Sequence, residues 1–144
     1  MNALYKDITS RDPVKVWSSS CAIIKLRDAR ELDLLASNLE EIREKTDNLQ
    51  LGGVVFPNAA HLAQALRKLE YHRAGSGCLC ALYPEYLFYN PEEEAAAGNV
   101  VIERTTYIKE IWIDAYFCVC AVCGQHYRVE EGDYHYIWWK WRAE

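Results

Sequence analysis

The spacing of apolar residues changes once along this chain, near residue 77. Upstream it is mostly helical. Leu32, Leu35, Leu39, Ile42 and Leu49 recur at three, four, three and seven residues, which lays them along one face of a helix. Asp28 supplies an N-cap oxygen and Glu31 stands in the capping-box position, so the helix is expected to begin there. Gly52-Gly53 ends it, because glycine enters the left-handed region at little cost. Asn58 opens a second helix with Leu62, Ala65, Leu66 and Leu69 on its core face, and Gly75 closes it. Two stretches break this rhythm. Ser20–Leu26 is β-branched and apolar and predicts a strand, and Val54-Val55-Phe56 predicts a short buried strand or extended link.

After Gly77 the period falls towards two. Cys78–Leu82 reads as a strand, Tyr83–Tyr89 as an irregular aromatic stretch, and Asn90-Pro91 as the cap and first residue of a short helix ending at Gly98. Val100–Tyr107, Ile111–Cys118, Gln125–Glu130 and Tyr134–Trp141 then predict four strands, with turns at Cys120–Gly124 and Glu131-Gly132-Asp133. In the last strand Tyr134, Tyr136 and Trp138 share one face; His135, Ile137, Trp139 and Trp141 share the other. Such a strand is either sandwiched or partly a contact surface, and sandwiching is the expectation. The fold class is α+β: N-terminal strand and helix elements packed with a C-terminal antiparallel meander that carries a zinc-ribbon-like knuckle. A single domain, 1–144, is expected, with a helix-rich part (1–76) and an aromatic, cysteine-containing β part (77–144).

Composition sharpens that division. Fourteen of the 18 Phe, Trp and Tyr residues fall between Tyr83 and Trp141. Residues 1–84 hold 11 basic and 10 acidic side chains, and residues 85–144 hold 5 and 11, so the whole net charge of −5 comes from the second part. That part repels a phosphate backbone and attracts a basic partner. The apolar run from Ala115 to Val122 is far short of a membrane span, and Met-Asn-Ala-Leu-Tyr-Lys-Asp contains no secretory signal core. A cytoplasmic protein, without membrane or direct nucleic-acid contact, is expected.

Five of the six cysteines form two groups, Cys78-Leu-Cys80 and Cys118-Val-Cys120-Ala-Val-Cys123-Gly124. Clustered thiols without a secretory signal suit a tetrahedral metal better than disulfides. Two residues between Cys120 and Cys123 bring both sulfurs to one ion, and Gly124 permits the tight turn. Cys78 and Cys80 would share a strand face and complete a structural Zn²⁺ site. Cys118 is the alternate ligand, replacing Cys78 or Cys80, and His126 or His135 is a weaker alternative for the fourth position. Cys21 is expected to pack in the core of its strand, and His61 and His72 to be solvated helix residues.

Four thiolates leave no coordination position for water. No phosphate loop, nucleophile elbow, His-Glu-x-x-His or Rossmann fingerprint occurs, and in Asp133-Tyr134-His135 sequence neighbours point to opposite strand faces, which argues against a catalytic pair. Cys120-x-x-Cys123 lacks the proline and the upstream His-x-Glu of a deaminase, and a strand rather than a redox helix follows it. No catalytic residue is assigned.

Cys78-Leu-Cys80-Ala-Leu-Tyr-Pro, Asn90-Pro-Glu…Gly98-Asn-Val and Cys120-x-x-Cys123-Gly…Tyr127-x-Val-Glu-Glu…Tyr134-His-Tyr…Trp138-Trp-x-Trp141 resemble bacterial immunity-type proteins, which neutralise secreted polymorphic or contact-dependent toxins. The similarity covers about residues 78–141. It implies a non-catalytic toxin inhibitor acting by protein–protein interaction. Candidate partner-binding residues are Glu92, Glu93, Glu94, Glu130, Glu131, Asp133, Tyr134 and Tyr136, since carboxylates and aromatics suit a basic toxin. The competing expectation is a zinc-ribbon module within a nucleic-acid-associated or other multiprotein assembly.

Overall fold

A computed structural model describes residues 2–54 and 56–144. The chain divides into two compact units, 1–77 and 78–144. The first is all helix: α1 (Ala3–Ile8), α2 (Pro13–Lys25), α3 (Ala29–Ser37), α4 (Leu39–Thr46) and α5 (Ala59–Ala74). The second contains a 3₁₀ helix (Leu79–Glu85), α6 (Pro91–Ala96) and strands β1 (Val100–Ile108), β2 (Trp112–Cys120), β3 (His126–Tyr134) and β4 (Tyr136–Ala143).

In the first unit the strand expected over Ser20–Leu26 is instead the second half of α2. The nucleating signal lies upstream: the Asp12 side chain accepts from the Val14 and Lys15 N–H groups (3.0 and 3.3 Å), and Pro13 occupies N1. Once helical, Val16, Ile23 and Ile24 fall on the buried face, and the Ser20 hydroxyl donates to the Val16 carbonyl at 2.7 Å. Cys21 is accordingly half-buried on a helix rather than packed in a strand. Asp28 does cap α3, accepting from Glu31 N–H at 3.0 Å. The single long helix expected from it is broken at Asn38, whose side chain donates to the Leu34 carbonyl at 2.8 Å. Leu49 lies beyond α4, while Leu32, Leu35, Leu39 and Ile42 keep their inward stripe. Val54 is a fully exposed bend rather than a buried strand, and Val55 lies outside the described residues.

Helix α5 packs chiefly against α2 and α3 and ends on Gly75 in the left-handed region. Its inward face includes two polar residues, Gln64 and Lys68, both buried. Lys68 Nζ donates to the carbonyls of Ile24 (2.9 Å) and Leu26, the last turn of α2 and its C-cap. A cation is favourable there because unpaired carbonyls gather the negative end of the helix dipole.

In the second unit the strands run β1-β2-β3-β4 as an antiparallel meander. Cys78–Leu82 is not a strand: Cys78 is extended and leads into the 3₁₀ helix. Nor is Glu131-Gly132-Asp133 a turn. β3 continues through these residues, and His135 (φ 65°) alone links Tyr134 to its cross-strand partner Tyr136. β-bulges interrupt β1 against β2 between Ile102 and Arg104 and between Thr106 and Tyr107. Alternation then places Tyr116, Val129 and Trp141 on the inward face. Trp141 is buried, stacks on Tyr83 at 4.1 Å and donates its indole N–H to the Tyr89 carbonyl at 2.8 Å. Emptying a site of that size costs about 3–5 kcal/mol.

Candidate metal centre

Two turns build the centre. Gly77 (φ 135°) precedes Cys78, and the 3₁₀ helix then brings Cys80 round beside it. At the other turn, Cys120 N–H donates to the Gln125 carbonyl (2.9 Å) and Gly124 N–H to the Cys120 carbonyl (3.0 Å). Gly124 takes φ 80°, as a tight knuckle requires. Cys78, Cys80, Cys120 and Cys123 each direct one sulfur to a common point, all within 4.8 Å of one another. Cys78 Sγ lies 3.6 Å from Cys120 Sγ, and Cys80 Sγ 3.4 Å from Cys123 Sγ. A tetrahedron of ~2.3 Å metal–sulfur bonds has edges of about 3.8 Å, so the set is the size of one coordination shell. A disulfide needs about 2.05 Å, which no pair approaches. The four cysteines therefore form a site able to hold a metal ion.

The surroundings differentiate the thiols. Burial pushes Cys80 well up from the ordinary range, and its sulfur accepts from the buried Tyr127 hydroxyl at 3.2 Å. Burial pushes Cys78 up as well. Burial opposes ionisation of Cys120 too, but N–H groups of Cys123 and Val122 and the thiols of Cys78 and Cys123 stabilise its thiolate. Its pKa falls to about 7. Cys80 and Cys120 are buried, Cys78 is half-buried and Cys123 is exposed.

Cys118 is not in this group. It lies buried in β2, lining a cavity with Glu103 and His126, and burial together with Glu103 raises its pKa to about 11. His126 instead meets Glu103 (Nδ1 to Oε1 3.5 Å), and His135 sits in the β3–β4 turn. Neither joins the sulfurs. His61 is half-buried against Trp17 and Phe56, and His72 Nε2 contacts Asp33 Oδ1 at 2.6 Å, so neither is the freely solvated residue expected.

The candidate partner residues separate into three environments. Glu92, Glu93 and Glu94 form the first turn of α6, capped by Asn90 (2.9 Å to Glu92 N–H), and Glu94 accepts from the Tyr83 hydroxyl at 2.7 Å. Glu130 is ion-paired with Arg128 at 2.7 Å. Glu131 accepts from the Trp139 indole at 2.9 Å and the Tyr116 hydroxyl at 3.4 Å. Asp133 and Tyr134 are exposed at the end of β3, while Tyr136 is half-buried beside Phe88. Sequence reasoning did not anticipate that Glu94 and Glu131 have internal partners, because those partners are 11 and 8 residues away.

Compared with known protein families, characterised proteins and solved structures, the chain matches none. Among the described residues no helix is long and apolar enough to cross a membrane.

Proposed function

We propose that this chain is a non-catalytic binding protein of the immunity type. It neutralises a cognate basic toxin domain in the cytoplasm, and its four thiolates hold a structural zinc ion. The observation that supports the structural-zinc part of this reading is the convergence of Cys78, Cys80, Cys120 and Cys123, enough protein ligands for a closed tetrahedral shell. Such a shell serves to hold the fold and leaves no vacancy for chemistry. The net charge of −6 over residues 85–144 and the aromatics there supply the complement to a basic surface.

Mixing the purified chain with the product of its neighbouring reading frame is the test. Nanomolar association that weakens with salt and abolishes the toxin's activity is the expected result. Absence of binding ends the toxin reading. For the metal, elemental analysis should give one zinc per chain, and Cys120→Ser should lose it and unfold residues 78–144. A coloured protein containing iron would replace zinc, since four thiolates accept either.

One observation favours a second reading, a zinc-ribbon module in a nucleic-acid-associated assembly. Arg104, Phe117, Arg128 and Arg142 form one cross-strand row, with the Arg104 guanidinium 3.9 Å from the Phe117 ring centroid. Cations beside an aromatic ring suit a single-stranded backbone and its bases. Arg128 is already paired with Glu130 and Asp114, which weakens that row as a phosphate site. A gel shift with single-stranded oligonucleotides at physiological salt separates the two readings.

A further inference from the structure

The inward face of the sheet is covered near the cysteines and bare at its other end. Cross-strand pairs Val129–Trp141, Glu131–Trp139 and Asp133–Ile137 succeed one another along that face. The first pair is buried, Trp141 beneath Tyr83. By the third pair Ile137 is 49% exposed, and across from it Ile108 and Trp112 are 51% and 64% exposed. Tyr107, Ile111 and Tyr134 are also exposed around the two hairpin ends. So many large apolar side chains gathered in the open mark a contact surface, where single ones would need no explanation.

Within this surface lies a recess of about 300 Å³. Ile108, Trp112, Ile113 and Ile137 provide its apolar lining, and Glu131 and Asp133 its charge. Among the described residues no basic side chain lines it. The volume sits at the lower limit of roughly 300–1,000 Å³ for ligand pockets, which suits one extended side chain. Glu131 is held in place: Trp139 Nε1 and Tyr116 Oη both donate to its Oε1, and neither bond uses Oε2. A carboxylate fixed in this way does not lose rotamer freedom when a partner arrives.

We infer that this recess receives an arginine side chain presented by a protein partner. The methylene stem lies against Ile108 and Ile137, the guanidinium plane faces Trp112, and the charge meets Glu131 and Asp133. Arginine suits the place better than lysine. Its planar, weakly hydrated head stacks on an indole and pairs with a carboxylate through two parallel hydrogen bonds. This rests on the basic-partner reading proposed above and assigns that partner's anchor.

The test titrates the full ¹⁵N-labelled chain with N-acetyl-arginine N-methylamide, using the uncharged citrulline analogue as control. The indole N–H signals of Trp112 and Trp139 should shift saturably with the arginine probe and respond about tenfold more weakly to citrulline. Ile137→Lys, which puts a cation of the chain's own at the recess, should abolish the response while amide dispersion shows the fold intact. Equal response to citrulline, shifts centred on Glu92–Glu94, or an unchanged response in Ile137→Lys overturns the inference. So does self-association through the same face, seen as concentration-dependent indole shifts together with a dimer in sedimentation. A toxin still neutralised by Ile137→Lys removes the recess and keeps the immunity reading. Arginine binding lost in Ile137→Lys, with no toxin neutralised by the parent chain, keeps the recess and removes that reading.

Discussion

Tyr127 and Gly132 carry the sharpest single-residue consequences. The Tyr127 hydroxyl lies 3.2 Å from Cys80 Sγ and 3.0 Å from the Cys80 carbonyl, and it is buried. Hydrogen bonds to a ligating sulfur stabilise the thiolate form, and outer partners of this kind are commonly worth ~10–100-fold in metal affinity. Tyr127→Phe should therefore bind zinc more weakly by that factor in competition with a chromogenic chelator, with the zinc stoichiometry unchanged. Gly132 pairs with Trp138 across β3 and β4, and a Cβ on Gly132 would fall 2.1 Å from Cζ2 of that indole. The requirement is for space, because this glycine does not adopt a left-handed φ. Gly132→Ala must push the ring aside, at a cost of about 1–3 kcal/mol typical of overpacking, visible as altered near-ultraviolet circular dichroism and a lower urea midpoint. The cysteine spacing was legible from sequence at this scale, since Cys120-x-x-Cys123-Gly124 fixes its own turn. Cys118 was open as a replacement for Cys78 or Cys80 because it shares a strand face with Cys120, and it falls outside the group because it lies two residues earlier in β2, between Ile102 and Tyr127.

Among the elements, α2 shows how a local pattern misleads. The seven residues Ser20–Leu26, rich in Ile, Ala and Leu, have no period of their own, so the decision passed to Asp12 and Pro13 seven or more residues upstream. The helices with caps inside their own pattern, α3 at Asp28 and α6 at Asn90, were legible for that reason. The polar members of α5 were not, because the partners of Lys68 are carbonyls 42 and 44 residues away. Lys68→Met keeps the aliphatic bulk and removes the donor from the end of α2. It should lower the stability of the helical unit by about 1–3 kcal/mol, measured by urea unfolding followed at 222 nm. A shift below ~0.5 kcal/mol would mean that the α2 carbonyls find water instead. The β3–β4 turn was misplaced because Glu-Gly-Asp resembles a turn, whereas this Gly leaves room for an indole and His135 makes the bend.

At the scale of the molecule, the boundary near residue 77 was visible in two independent signals, the change of apolar period and the change of charge. The thiols should make stability depend on pH in different ranges with and without metal. In the metal-free chain, Cys78, Cys80 and Cys118 have pKa values raised above the unfolded value of about 8.5. That contribution to stability is complete below pH 8.5 and is lost as pH rises through the folded values. Cys120, depressed to about 7, acts in the other direction between 7 and 8.5. Metal binding requires all four thiolates, so protons compete with it and the metal-dependent stability is lost as pH falls. Melting curves with and without zinc at pH 6 and pH 8 should therefore differ far more at pH 8. An equal difference at both pH values would show that the thiols do not hold the metal.

The four sulfurs all lie between residues 78 and 123, ahead of β3 and β4 in the order of synthesis. A nascent chain that has reached Gly124 already owns every ligand, while Tyr127 and Trp141 have yet to be joined to it. An ion taken up at that moment would clamp the β1–β2 hairpin to the 3₁₀ turn and leave an unpaired β2 edge as the template for the next strand. A chain stopped before β3 would therefore keep all four sulfurs and lack the Tyr127 hydroxyl beside Cys80.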